Sequence, residues 1–301
     1  MRPNDTPGSW ANFCSTTGPF SIAIDGYINA PPEFDPSGPR ANFDHHYGVN
    51  RLATRSTTGQ VLMAIRQGFF DCFRDSSGPR ADVFANDCDE DVCTAFDLLK
   101  HGFMADQVIN PLLNRLVHLV DTLDTTAGAY PYPPDLPILG ELAWIFEPYR
   151  RARLSGELDR RNADSFLGIV TDVGHRIQQH IIGKGESIPL DIRYEQIGGG
   201  PSWTMVREQG AQARTGMFAS GIRAFVSVRD RPAGGYVYVL GRMSPFIRFN
   251  VPGLLNALNE AEGCTTDRWG GGDVVGGSPR SSGSKLTPTE VTRIVNESLQ
   301  H

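Results

Sequence analysis

Apolar residues in the first half of the chain form short continuous runs that are separated by polar loops. The run at residues 20–24 (FSIAI) stops at Asp25, which predicts a buried strand that ends in a polar loop. A second run at residues 81–85 (ADVFA) leads into the acidic stretch 86–91 in the same way. Segments with helical spacing follow both runs, and strands that alternate with helices predict an α/β domain built on a parallel sheet.

Helices are predicted where apolar residues recur every three or four positions, as on one face of a helix. These segments are 61–69, about 92–100, 107–120 and 141–182. Thr57 and Thr58 are candidate caps for the first of them, and Gly183 ends the last. We expect the chain to divide near residue 185, with one domain at 1–185 and a second at 186–301.

The second half of the chain has shorter apolar segments and more glycine. It predicts strands at 190–197, 224–229 and 236–242, a turn at 231–235, a helix at 252–262, a glycine-rich loop at 269–280 and a final helix that begins at Thr287. Glu290 lies three residues after Thr287, as in a capping box. This half therefore predicts a smaller α/β domain with a glycine-rich loop.

Composition and charge narrow the class of protein. With 301 residues, of which 40% are hydrophobic and 21% charged, the chain has the profile of a globular protein. The formal net charge of −6 argues against a long nucleic-acid partner, which needs a basic surface. Five cysteines without a Cys-x-x-Cys pair do not indicate a disulfide framework. No apolar signal segment and no run of ~18 apolar residues is present, so we expect a cytoplasmic protein without membrane spans.

Polar residues that could carry chemistry follow the predicted strands and one predicted helix. They are Asp25, the triplet Asp44-His45-His46, the cluster Asp87, Asp89 and Asp91, and the pair Asp121 and Asp124. Ligands of parallel α/β sheets gather beyond the carboxyl ends of the strands. Bunched carboxylates repel one another unless a cation neutralises them. A surface histidine pair, a solvated acidic turn and ordinary helix-end acids remain open as alternatives for the triplet, the cluster and the pair.

Taken together, these positions match the ligand chemistry of hard divalent cations, which prefer several carboxylates with a few imidazoles. The candidate metal ligands are Asp25, His45, Asp87, Asp89, Asp91 and Asp121. Two such ions can activate water and hold a phosphoryl group between them. We expect Mn²⁺ or Mg²⁺, because oxygen-rich ligation with one imidazole suits manganese better than zinc.

The residues FDHH at 43–46, followed by STTGQVLMAI, resemble the signature of the DHH phosphoesterases. This family includes single-strand exonucleases, phosphodiesterases of nano-RNA and cyclic dinucleotides, and a class of inorganic pyrophosphatases. Asp25 lies nineteen residues before Asp44 and matches the lone aspartate of the family's second motif. Asp89-Glu90-Asp91 is similar to the Asp-x-Asp of the first motif, and Asp121 is the candidate for the fourth.

The resemblance extends to the accessory domain of the family, in which a strand arginine, a helix and Gly-Gly-Gly-His occur in that order. Here VYVLGRM, the helix at 252–262 and WGGGD have the same order. The resemblance implies substrate-binding residues at Arg242, Gly270, Gly271 and Gly272. Ser278, Arg280 or Lys285 are candidates to compensate for the loop histidine that this sequence lacks. Backbone N–H groups of such a loop can form an anion nest for a substrate phosphate.

Three departures from the family pattern affect the expected chemistry. The Asp-x-Asp element follows the DHH triplet instead of preceding it, which implies a permuted strand order. Ala85 lies where the first motif begins with histidine, and Asp273 replaces the histidine of the glycine loop. These departures fall at the expected active positions, so a divergent chemistry or a lost activity stays open.

The sequence therefore predicts a metal-dependent phosphoesterase that acts on a small nucleotide or short oligonucleotide through water activated by two metal ions. His45, His46 and Asp44 are the expected catalytic residues. The expected partner is a small phosphorylated substrate, and a homodimer stays open. One alternative is a nucleotide- or metal-binding regulatory protein on the same scaffold that has lost catalysis. Another is a different metal hydrolase that uses residues 87–91 alone.

Overall fold

The computed structural model of the protein describes residues 1–102 and 109–300, which form a mixed α/β structure. The chain divides into two units. The first comprises residues 1–125 and 140–188, and the second comprises residues 126–139 and 189–301. Residues 126–139, which the sequence analysis placed in the first domain, therefore belong with the second unit.

The first unit has short strands, two of which come from the apolar runs at residues 20–24 and 81–85. Its strands are β1 (Ser21–Ile24), β2 (Glu33–Asp35), β3 (Arg40–Phe43), β4 (Arg74–Asp75), β5 (Gly78–Pro79) and β6 (Asp82–Phe84). The main sheet has the order β2-β3-β1-β6, while β4 and β5 form a separate two-stranded ribbon. Parallel pairing joins β1 to β3 and to β6, so the carboxyl ends of these three strands share one edge.

One edge of this sheet departs from the expected parallel order, because β2 pairs with β3 antiparallel. The four residues 36–39 that join the two strands are too few for a parallel crossover, which takes a dozen or more residues. The central strand β1 is buried along its whole length, as a strand between parallel neighbours should be.

The other elements of the first unit are helices, most of them close to predicted segments, whereas the helix at Trp10–Thr16 was not predicted. They are α1 (Trp10–Thr16), α2 (Thr57–Arg66), α3 (Phe69–Cys72), α4 (Glu90–Lys100), α5 (Pro111–Thr125), α6 (Pro137–Ile145), α7 (Glu147–Ser155) and α8 (Ala163–Ile181). The predicted helix at 107–120 differs at both ends. Residues 107 and 108 lie outside the described residues, and the helix continues to Thr125. The predicted helical stretch 141–182 contains three α-helices. The break between α6 and α7 lies at Phe146, and the break between α7 and α8 lies where Gly156 and Arg161 adopt left-handed backbone conformations that a helix cannot continue.

The second unit is built on a six-stranded sheet. Its elements are β7 (Tyr194–Gly200), β8 (Trp203–Glu208), α9 (Ala213–Ala219), β9 (Ala224–Asp230), β10 (Tyr236–Arg242), α10 (Val251–Glu262), β11 (Gly270–Gly271), β12 (Val275–Gly277) and α11 (Pro288–Ser298). The order is β11-β12-β10-β9-β8-β7. Strands β8 and β9 pair parallel across α9, and their other neighbours pair antiparallel.

Two local predictions for the second unit are confirmed. Strands β9 and β10 form the expected hairpin around residues 231–235. The final helix begins with a capping box, in which the Thr287 side chain accepts from Glu290 N and the Glu290 carboxylate accepts from the backbone of Thr287. Within the two described ranges, no helix has both the length and the apolar character to cross a membrane.

Candidate metal centre

Asp25 follows β1 directly and has an unusual backbone conformation. Its φ of 53° lies in the left-handed region, which non-glycine residues seldom adopt and which clusters at functional sites. The Asp25 N–H donates to Phe43 O at the end of β3 (2.9 Å), so the turn is held by the neighbouring strand. Its buried carboxylate accepts a hydrogen bond from the Thr57 hydroxyl at 3.0 Å. The strained turn thus directs the Asp25 carboxylate toward the start of α2.

The DHH triplet forms a tight turn that the Asp44 carboxylate organises. Asp44 is fully buried, and its Oδ1 accepts the backbone N–H groups of His45 (2.8 Å) and His46 (3.0 Å). Its Oδ2 accepts the N–H of Tyr47 at 3.3 Å. Oδ1 also lies 3.0 Å from Nδ1 of His46, which fixes the orientation of that ring. Asp44 therefore shapes the turn and orients one of its histidines.

His45 points into the protein, where three carboxylates surround one of its ring nitrogens. Nε2 lies 2.6 Å from Oδ2 of Asp124, 3.6 Å from Oδ1 of Asp25 and 3.9 Å from Oδ2 of Asp91. The side chain is 1% exposed, yet neither ring nitrogen has a hydrogen-bond partner of acceptable geometry among the described residues. Buried polar groups are nearly always hydrogen-bonded, so unpartnered nitrogens call for an explanation such as an ion.

Among the residues that the structure describes, two groups of side chains have donor atoms close enough to share a cation. One is Asp25, His45 and His46, and the other is His45, Asp91 and Asp124. Within each group the donor atoms lie within 4.8 Å of one another. The structure thus brings together Asp25, His45 and Asp91, which the sequence analysis selected, and adds Asp124.

Asp91 has a structural role as well. Its Oδ2 accepts the N–H of Thr57 and its Oδ1 accepts the N–H of Thr58, each at 2.8 Å. These are the first two residues of α2, whose N-terminus favours a negative charge. The helix cap itself is Ser56 and not either threonine, because the Ser56 hydroxyl accepts from Gly59 N. Each Asp91 oxygen retains acceptor capacity beyond these bonds.

Asp121, the expected fourth ligand, lies elsewhere. Its Oδ1 accepts the N–H of Ser56 at 2.6 Å and its Oδ2 pairs with Arg55 at 3.3 Å. Asp124, one turn later on α5, reaches His45 instead. The sequence analysis noted Asp124 only as a helix-end acid, and nothing in the helical spacing separates the two aspartates. The selection of Asp121 as a member of this group is therefore corrected to Asp124.

The side chains of the two donor groups, Asp25, His45, His46, Asp91 and Asp124, are called the cluster from here on. Asp87 and Asp89 lie beside this cluster and belong to neither group. Asp89 caps α4, since its Oδ1 accepts the N–H of Val92 at 3.0 Å. Asp87 Oδ1 accepts the N–H of Cys88 at 2.8 Å. Burial, followed by the charges of Asp25 and Asp87, raises the pKa of Asp89 well above its usual range. The negative charges nearby therefore oppose ionisation of the Asp89 carboxyl.

The electrostatics of the cluster indicate an excess of negative charge. Burial opposes protonation of His45, but the charge of Asp124 and contacts with Asp124 and Asp25 raise its pKa to about 10. Burial and the charges of Asp124 and Asp25 raise the pKa of Asp91 to about 7. Burial would raise the pKa of Asp25, but His46 and His45 hold it below its usual value. A divalent cation at this place would relieve the repulsion, so the donor set fits such an ion.

In the second unit, the residues expected to bind substrate have internal partners. Arg242 donates to three backbone carbonyls, at Asp273 (2.8 Å), Ile247 (3.1 Å) and Pro245 (3.3 Å). The buried Ser278 hydroxyl accepts the N–H of Tyr238 at 3.0 Å. These contacts hold the loops together, whereas Arg280 is exposed.

The glycine-rich segment forms a β-hairpin. Gly270 and Gly271 pair with Gly277 and Gly276, and the Gly272 N–H donates to Val275 O at 2.8 Å. A Cβ at residue 276 would lie 2.6 Å from the Leu255 side chain. Close packing therefore accounts for glycine at that position.

Comparisons with known proteins found no matching family model, curated protein or solved structure. The chemistry of the site is therefore argued from its own geometry. Three features define this site: the buried His45 ring without an aligned hydrogen bond, the strained Asp25 turn, and the convergence of Asp91 and Asp124 on the same imidazole.

Proposed function

We propose that the first unit binds a divalent cation, Mn²⁺ or Mg²⁺, between Asp25, His45, Asp91 and Asp124 and hydrolyses phosphate esters at this place. The observation that carries the proposal is the buried His45 imidazole, whose Nε2 has three carboxylate oxygens within 4 Å and no aligned hydrogen bond. A bound divalent cation would supply activated water and would neutralise charge on a phosphoryl group. Asp87 and Asp89 are the candidates for a second ion.

His46 is suited to contact the substrate. Its Nδ1 is held by Asp44 at 3.0 Å, while 40% of its side chain is exposed. Burial opposes protonation, but the charge of Asp25 and the bond to Asp44 raise the pKa of His46. A positively charged ring in this position can donate a hydrogen bond to a phosphoryl oxygen or to the leaving group. Asp44 serves as the residue that orients this ring.

The substrate in this proposal is a small phosphorylated molecule, such as a nucleotide or short oligonucleotide, because the chain is acidic overall. Within the second unit, Arg280 and the hairpin glycines Gly270, Gly271 and Gly272 remain candidates for binding a phosphate group. Arg242 and Ser278 would support that loop through their backbone bonds. A reducing cytoplasmic location suits the five cysteines, all of which are free thiols.

The test combines metal binding with turnover. Metal-stripped protein should bind Mn²⁺ in titration calorimetry and should then hydrolyse bis(p-nitrophenyl) phosphate, with activity lost on chelation. Asp124→Asn should abolish both properties. Asp172→Asn is the matched control, because Asp172 is an exposed aspartate on α8. Wild-type protein that binds no Mn²⁺, or an Asp124→Asn variant with full activity, would overturn the proposal.

A second candidate function is a metal- or nucleotide-binding regulatory protein without catalysis. This function is favoured by the hydrogen bonds within the chain that already engage Asp91 and Asp124. Asp91 accepts the N–H groups of Thr57 and Thr58 at the start of α2, and the buried Arg51 donates to both the backbone and the carboxylate of Asp124, at 2.7 and 3.4 Å. Tight Mn²⁺ or nucleotide binding with no turnover would support this function. A hydrolase that uses residues 87–91 alone is less well supported, since Asp91 lies 3.9 Å from the His45 ring.

A further inference from the structure

Arg161 adopts a backbone conformation that costs free energy. Its φ is 46° and its ψ is 46°, in the left-handed region that arginine seldom occupies. Strained residues of this kind persist where surrounding contacts over-determine them. The side chain of Arg161 makes several contacts that can hold this conformation.

The Arg161 guanidinium joins two distant pieces of the first unit. Nε donates to Pro3 O at 2.7 Å, and Nη2 donates to the same carbonyl and to Asn86 O at 3.1 Å. In return, the Asn4 side chain donates to Arg161 O at 3.3 Å. The planar fork of arginine suits this geometry, because its donors are fixed relative to one another. Arg161 therefore ties the N-terminal residues to the loop after β6.

That loop is itself joined to the loop after β1. The Asn86 side chain donates to Gly26 O at 3.2 Å. Gly26 directly follows Asp25, and Asn86 directly precedes Asp87. A single chain of hydrogen bonds thus runs from Arg161 to the loop that carries Asp87 and Asp89 and on to the loop that carries Asp25.

The N-terminal arm, residues 1–8, lies along the same two loops. The Arg2 N–H donates to Ala85 O at 2.8 Å. The Tyr27 hydroxyl donates to the Asp5 carboxylate at 2.8 Å, and the Asn29 N–H donates to Gly8 O at 2.7 Å. Pro3, the residue gripped by Arg161, is buried. The arm is therefore held against residues 25–29 and 85–86 at several points.

We propose that Arg161, acting with the N-terminal arm, is a positioning residue that fixes the loops at 25–29 and 85–89 and so sets the affinity of the cluster for a divalent cation. The cation part of this inference rests on the proposed function. The physical reason is the mutual repulsion of Asp25, Asp87 and Asp89, which would spread these loops apart unless the backbone is braced. Arg161 braces the loops through hydrogen bonds to the backbone carbonyls of Pro3 and Asn86.

The test uses Arg161→Gly, which removes the guanidinium and tolerates the left-handed φ. Amide hydrogen exchange at residues 85–89 of metal-free protein should be at least about 10-fold faster than in wild type. The dissociation constant for Mn²⁺ should rise by about 10- to 100-fold, as for other residues that orient metal ligands. Arg160→Ala is the matched control, because Arg160 is the adjacent exposed arginine.

Rescue separates positioning from a general loss of structure. Methylguanidinium at millimolar concentration should partly restore slow exchange and Mn²⁺ affinity to Arg161→Gly, whereas ethylammonium should not. Arg161→Lys should behave like Arg161→Gly, because one ammonium cannot reproduce the fork. Should Arg161→Gly fail to fold, deletion of residues 2–4 removes the Pro3 carbonyl and should give the same faster exchange at 85–89.

Unchanged exchange at residues 85–89 in the folded variants would overturn the proposal, as would unchanged Mn²⁺ affinity. Mn²⁺ binding by the wild-type protein and hydrogen exchange in the Arg161 variants test the proposed function and the role of Arg161 separately. Wild-type protein that binds no Mn²⁺ would overturn the proposed function and the cation part of this inference. In that case the exchange rates would still decide whether Arg161 braces the loops.

Discussion

Nε2 of His45 lies 2.6 Å from Oδ2 of Asp124, and this contact joins the turn after β3 to the last turn of α5. The Arg51 guanidinium donates hydrogen bonds to the backbone carbonyl and to the carboxylate of Asp124. The charge of His45 lowers the pKa of Asp124 although burial opposes ionisation. An imidazole and a carboxylate in such a contact have one of two roles: they form a structural ion pair, or they are two ligands of one cation.

Replacing His45 with alanine should weaken Mn²⁺ binding more than 10-fold, because the imidazole is common to both donor groups. The dissociation constant is measured by titration calorimetry on metal-stripped protein. His118→Ala should leave it unchanged, since His118 is an exposed histidine on α5. Equal affinities in wild type and His45→Ala would assign the His45–Asp124 contact to a structural ion pair.

Replacing Asp91 with asparagine should change how the stability of metal-free protein depends on pH. The folded-state pKa of about 7 lies above the ordinary value of 3.8, so ionising Asp91 costs folding free energy as pH rises between these values. Asparagine does not ionise. The stability of Asp91→Asn relative to wild type should therefore increase from pH 5 to pH 8 by on the order of 3 kcal/mol, given 1.36 kcal/mol per pKa unit.

Urea unfolding in the presence of a chelator measures this difference at each pH. Asp172→Asn, at an exposed site, should show the same pH dependence as wild type. If the difference in unfolding free energy between Asp91→Asn and wild type is the same at every pH in this range, the surroundings do not raise the pKa of Asp91.

Two helical glycines should respond to alanine with opposite signs. A Cβ at Gly59 would lie 2.8 Å from Oδ1 of Asp121, the oxygen that accepts the Ser56 N–H, so Gly59→Ala should destabilise the protein by about 1–3 kcal/mol. Gly168 has open space around it on α8, and Gly168→Ala should stabilise the protein by about 1 kcal/mol through helix propensity. Chemical denaturation measures both, and a stabilised Gly59→Ala variant would mean that Asp121 does not hold the start of α2.

Replacing Arg242 with alanine should lower the stability of the second unit by about 1–3 kcal/mol, because three backbone carbonyls lose a charged donor. Arg223→Ala, at an exposed position, is the control and should have little effect. Proteolysis of the loop at residues 243–250 and denaturant unfolding both report the change. If Arg242→Ala instead weakened substrate binding without loss of stability, its role would be direct phosphate contact.

Much of the secondary structure could be predicted from local pattern. The apolar runs that became β1 and β6 and the hairpin of β9 and β10 depend on residues close together in sequence, as does the capping box of Thr287. The antiparallel pairing of β2 could not be predicted in this way, because the segment at 33–35 lacks an apolar pattern. It becomes a strand only because β3 offers it an edge with free backbone groups.

The amino-acid sequence by itself determined which residue types follow the strands. It indicated one set of candidate metal ligands: Asp25, His45, Asp87, Asp89, Asp91 and Asp121. Only the tertiary structure decided between Asp121 and Asp124. Residues three apart lie on the same face of a helix, so helical periodicity cannot separate them. What separates them is the part of the chain that each one meets in the folded protein, since Asp121 accepts the N–H of Ser56 before α2 while Asp124 contacts His45.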